Sequence, residues 1–160
     1  MKKILLFIAI AASVITEAQV STVSLQASGL TCSMCSNAVN KALKNLDFVL
    51  KVDADIKTYT FEISFKPGSV IDFDLLRKGV ENAGFAVCAF VATIHFDNVQ
   101  VKNGQPVTIQ NKTFLFLNIN DQVLNGDKQV KILNKGFVSP KEYKKNISLV
   151  SSPQTYYVTL

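Results

Sequence analysis

Tryptophan is absent from this 160-residue chain, histidine occurs once, and cysteine occurs three times. A structural zinc site wants four ligands, and three thiols with one imidazole leave none to spare, so a closed zinc site within one chain is not expected. An odd cysteine count also argues against a disulfide framework as the device that organises an exported fold. Beyond the first residues no apolar run approaches the ~18 residues that a membrane helix needs. There is no internal repeat and no low-complexity tract. Charged residues make up 18% and apolar ones 48%, the balance of a globular chain and not of a disordered one.

What is present begins with a leader. Lys2 and Lys3 precede an almost unbroken apolar run from Ile4 to Val14, which has the length of a signal-peptide core and is too short to span a bilayer. Thr16 and Ala18 put small residues ahead of a cleavage site, so residues 1–18 are predicted to be removed before Gln19. Export to the periplasm or the extracellular space follows. About 142 residues then remain, enough for one ordinary domain or two small ones. Charge is unevenly placed. Residues 19–95 hold seven basic and seven acidic side chains, whereas residues 96–160 hold eight and four, so the basic character lies in the C-terminal part.

Residues 19–96 predict a βαββαβ series. Val23, Leu25 and Ala27 alternate with polar neighbours as a half-buried strand does. After Gly29-Leu30-Thr31 the period changes, and Val39, Leu43 and Leu46 mark one face of a helix over about Ser33–Leu46. A strand at Phe48–Val52, a turn over Asp53–Lys57 and a strongly alternating strand over Tyr59–Phe65 follow. Pro67-Gly68 ends that strand, a second helix starts near Asp72, and Gly84 stands where a left-handed cap would end it. The last strand is Ala86–Phe96. This order gives an α+β, ferredoxin-like sandwich: one antiparallel sheet under two helices.

Residues 97–160 have a different texture and predict a small β-rich module, either a partly open barrel or a sheet laid on the first domain. Asn103-Gly104 and Asn125-Gly126 are hairpin signals. Candidate strands are Asn98–Val101, Pro106–Ile109, Thr113–Ile119, Lys128–Leu133 and Thr155–Leu160. Ser139-Pro140-Lys141-Glu142 carries the cap, first-turn proline and acid of a short helix over Pro140–Lys145.

The chemistry is expected in Gly29-Leu30-Thr31-Cys32-Ser33-Met34-Cys35. Two thiols two residues apart, where a strand gives way to a helix, can turn both sulfurs to one point. Unpaired N–H groups at the helix start favour the thiolates. Two thiolates without an imidazole suit a soft monovalent ion such as Cu(I), with other soft thiophilic ions possible. The loop, with Val39 and Ala42-Leu43 downstream, the strand end at Asp53 and the Ala83-Gly84-Phe85 turn, resembles the heavy-metal-associated domain of copper chaperones and copper-transporting P-type ATPases over about Val20–Phe96. Leu30 stands where that family more often has Met. The resemblance implies Cu(I) held by Cys32 and Cys35, transfer by ligand exchange to or from a copper-handling partner protein, and no enzymatic turnover. Two other readings stay open. One is a thiol–disulfide enzyme with Cys32 as nucleophile and Cys35 as resolving thiol; the other is an interaction module on a relic site.

Lesser candidates surround the loop. Leu30 and Thr31 would support it, and Phe85 would shield the ion. Cys88 starts the last strand at the same end of the sheet and is a possible third ligand, although its parity with Phe90, Ala92, Ile94 and Phe96 predicts a core position. Met34 reads as a bystander. His95 lies seven residues past Cys88, about 23 Å along a strand, and is expected at the far end. Lys141, Lys144 and Lys145 form a basic patch, for which a solvated charged face, or attraction to an acidic partner or lipid surface, fits export better than nucleic acid does.

Overall fold

The alternation of apolar and polar residues in the first strands is realised as a sheet with one face buried. A computed structural model describes residues 19–146 and 155–160, so the expected leader lies outside the described residues. The elements are β1 (Gln19–Ser28), α1 (Ser33–Lys44), β2 (Val49–Asp55), β3 (Thr60–Phe65), α2 (Phe73–Asn82), β4 (Ala86–Val101), β5 (Pro106–Ile109), β6 (Lys112–Phe116), β7 (Gln122–Ile132), α3 (Pro140–Asn146) and β8 (Thr155–Thr159). They build one eight-stranded sheet in the order β2-β3-β1-β4-β7-β8-β6-β5.

The first four strands, in the order β2-β3-β1-β4 and antiparallel throughout, make the expected ferredoxin-like unit. Val23, Leu25 and Ala27 of β1 and Phe61 and Ile63 of β3 are buried, while Ser24, Gln26 and Glu62 stay on the open side. Val39 and Leu43 of α1 and Phe73, Leu76 and Val80 of α2 supply the covering stripes. Asp72 caps α2, its carboxylate accepting from the Leu75 N–H at 3.0 Å. Gly84 ends it with φ +91°, a conformation that lets the Phe85 N–H return to the Val80 carbonyl at 3.2 Å. One turn is displaced from its expected place. β2 continues to Asp55, whose carboxylate takes the Lys57 N–H and the Thr58 hydroxyl, both at 2.8 Å. This Asx-type closure puts the reversal after Asp55 and not over Asp53–Lys57.

The separate all-β module is not what residues 97–160 form. β4 runs unbroken through residue 96 to Val101, and its second edge pairs with β7 from Val91↔Lys131 to Val101↔Gln122. The later strands therefore lengthen the same sheet. Asn103-Gly104 does turn the chain, but β5 pairs with β6 and not with β4. Asn125-Gly126 is not a hairpin tip. It lies inside β7 opposite a bulge at Asp97-Asn98, with Asn98 at φ +49° and Gly126 at φ +71°. A bulge and a tight turn draw on the same left-handed residues, so the dipeptide alone cannot tell them apart.

The sheet curls as it grows. Phe73 of α2 lies 5.1 Å from Phe90 on β4 and 6.3 Å from Phe114 on β6, centroid to centroid. In a flat sheet those strands, three positions apart, would be about 14 Å from each other. The later strands thus wrap the start of α2, and Phe96, Phe114, Phe116, Val130, Ile132 and Val158 join the same buried cluster as Val23 and Leu25. Tyr156 on β8 donates to Asp74 of α2 at 3.0 Å and fixes the wrap.

Candidate metal centre

The end of β1 and the start of α1 place the two thiols. Gly29 holds φ +87°, which turns the chain out of the sheet, and Leu30 is buried beneath the turn. Cys32 is the N-cap of α1 with extended backbone, and its side chain makes no capping bond. The helix then brings Cys35 back one turn later. The two Sγ atoms stand 3.0 Å apart as free thiols, Cys32 exposed and Cys35 half-buried. No acidic residue lies in the first turn of α1, while Lys41 and Lys44 occupy its last turn. The positive end of the helix is therefore left without a carboxylate and faces the sulfurs.

Electrostatics follow from this placement. The Cys35 thiol is held below its ordinary value, first by the Cys32 side chain, then by hydrogen bonds from the backbone of Thr31 and Cys32 and from the Thr31 side chain, with burial opposing. Phe85 packs against Gly29, with Cδ1 3.8 Å from where a Cβ would stand.

Cys88 behaves differently from both expectations. The β1–β4 register jumps from Gln26↔Ala89 to Ala27↔Val87, leaving Cys88 bulged and unpaired in register. Val87 takes the buried position, and Cys88 is half-exposed with its thiol 3.4 Å from the Gln26 carbonyl. Burial pushes this thiol up, away from the thiolate. Among the described residues no three Cys, His, Asp or Glu side chains converge to hold an ion, so the structure does not bring Cys88 to the pair. Met34 points outward, 80% exposed. His95, opposite Gln19 at the other end of β1, pairs with Asp127 at 2.7 Å.

The residue that sequence reading missed is Ser36. It is buried, one position after Cys35, and its hydroxyl has no partner. Only its place four residues before Asn40 and three before Val39, on the inward stripe, signalled it.

Residues 24–86 match the family described as Heavy-metal-associated domain. A mercuric transport protein periplasmic component from Pseudomonas fluorescens is 37% identical over 86 residues, which span 53% of this chain and 93% of that protein. The chain belongs to the heavy-metal-associated domain family. A copper-transporting ATPase of Arabidopsis thaliana shares 35% identity over 57 residues, 36% of this chain and 6% of that protein. Among solved structures, an oxidised MerP from Ralstonia metallidurans is 32% identical, covers 44% of this chain and 96% of its own, and gives a TM-score of 0.38. The match contains Cys32 and Cys35 but stops at residue 86, before most of β4 and all later strands.

Proposed function

We propose that this protein binds one soft thiophilic ion, Cu(I) in the first instance, through the thiolates of Cys32 and Cys35, and exchanges it with a partner without catalytic turnover. The observation that carries this is the 3.0 Å approach of two free sulfurs at a helix start that lacks any acidic residue. Two thiolates with no third donor suit a two-coordinate ion, and four-coordinate zinc would be left short. With metal–sulfur bonds of about 2.3 Å, a near-linear ion needs its sulfurs about 4.6 Å apart. Rotation of the exposed Cys32 side chain supplies that opening. An incoming thiolate then bonds the ion as the Cys32 bond breaks, and a second exchange releases Cys35. Each step makes one metal–sulfur bond and loses one, with no electron transferred.

A second cargo, Hg(II), is favoured by one observation: the mercuric transport proteins match over 93% of their length. The same two sulfurs would hold it. Export through the leader is part of this proposal, supported by the likeness to periplasmic components. No described helix is long and apolar enough to cross a membrane.

The test is titration of reduced residues 19–160 with Cu(I), and separately with Hg(II), against a competing chelator, beside a Cys32→Ser/Cys35→Ser variant. One tightly held ion per chain, lost in the variant, supports the reading, and the metal recovered from cells grown with each ion identifies the cargo. Wild type holding no more ion than the variant overturns it; turnover of a disulfide substrate would then favour the thiol-redox alternative.

A further inference from the structure

The chain between β7 and α3 builds a groove at the same end of the sheet as the thiol loop. Phe137 anchors this segment, its ring 5.1 Å from that of Phe90 and 5.6 Å beneath the Arg77 guanidinium. Between it and the start of β4 lies an open cavity of about 440 Å³, within the ~300–1,000 Å³ typical of binding pockets. Val87, Val138, Pro140 and Tyr143 form its apolar wall. Val87 is paired with Ala27, and Ala86 with Ser28, so the groove lies at the end of the sheet from which Gly29 and the thiols that follow it emerge.

Three charged side chains reach its rim: Glu81, Lys135 and Lys144. Glu81 is already satisfied, both of its oxygens accepting from Arg77 at 2.7 Å. Lys135 and Lys144 are exposed, and neither is in an ion pair among the described residues. The groove thus combines an apolar wall, a carboxylate held by Arg77, which also pairs with Asp74, and two exposed ammonium groups without an ion-pair partner among the described residues.

We propose that this groove docks the protein that exchanges metal with Cys32 and Cys35, and that this partner presents a large apolar side chain flanked by carboxylates. The identity of the partner rests on the metal-transfer reading; the binding chemistry does not. A partner thiolate reaching the exposed Cys32 must approach over this end of the molecule, and the groove then supplies the anchor while the lysines steer the encounter. A site of this size makes the small interface of a transient encounter. Residues 135–144 lie outside the family match at 24–86, so the selectivity belongs to this chain's own extension. A lipid surface fits less well, because Lys141 and Lys145 line a different cavity and leave only two lysines at the groove.

Fluorescence anisotropy with a labelled Asp-Glu-Leu-Phe-Glu-Asp peptide tests the proposal on reduced residues 19–160. Wild type and the Cys32→Ser/Cys35→Ser variant are expected to bind it equally, which separates this site from the metal reading. Lys135→Glu/Lys144→Glu, at two exposed positions that leave the core intact, is expected to lose roughly tenfold in affinity and to gain binding of Lys-Lys-Leu-Phe-Lys-Lys. The proposal is overturned if the acidic peptide binds no better than Asp-Glu-Gly-Ser-Glu-Asp, or if the charge reversal changes nothing. Binding of phosphatidylglycerol vesicles without peptide selectivity, or self-association that blocks the peptide, overturns it equally.

Discussion

Phe85 rests on Gly29, its Cδ1 3.8 Å from the place a Cβ would occupy, and this contact joins the end of α2 to the first residue of the thiol-bearing loop. A side chain at 29 would meet only ordinary contact, so the cost of one is set by the backbone. With φ at +87°, Gly29→Ala should lose roughly 1–2 kcal/mol through left-handed strain. Urea unfolding of the apo protein measures this, and an unchanged midpoint would show that the loop relaxes to negative φ.

The depressed Cys35 thiol has a sign that can be checked. Because its folded value lies below the ordinary 9.0, its contribution to apo stability is present above that value and fades as pH falls through the folded one. Thiolate absorbance should therefore persist at lower pH in wild type than in Cys32→Ala, which removes the side-chain hydrogen bond that is the largest cause of the shift. Coincident titration curves would contradict the assignment. Cys88→Ser should leave the metal stoichiometry unchanged.

Tyr156 carries a half-buried phenol bonded to Asp74, and burial first, then the Asp74 charge, pushes its ionisation well above the usual value of 10.0. Its stabilising share is complete below pH ~10 and is lost as pH rises beyond it. Tyr156→Phe should cost about 1 kcal/mol at neutral pH and soften the alkaline loss of stability. An identical alkaline profile in the variant, followed by circular dichroism, would place the loss elsewhere.

Truncation after residue 96 removes the strand that pairs with the outer edge of β4 and takes Phe114 and Tyr156 away from Phe73. The fragment 19–96 should melt below the full chain and self-associate through the freed edge. A monomeric fragment of equal melting temperature, by light scattering and calorimetry, would show that the first four strands are independent.

The approach of the two thiols was legible because it is local. Cys32 and Cys35 are three positions apart on a helix start, Gly29 and Gly84 announce left-handed turns, and the stripe of Val39 and Leu43 needs only its own period. Those features fix the thiol pair and the βαββαβ order of residues 19–96 from the sequence by itself. Tertiary structure decided what depends on register and on distant edges. A bulge at Cys88 exchanged its inward place for Val87, another at Asp97-Asn98 turned an apparent hairpin signal into strand, and the free edge of β4 recruited β7 into one curled sheet. A one-residue change of register inverts every side chain beyond it, and edge pairing is chosen among strands far apart in the chain, so neither is encoded in any local pattern.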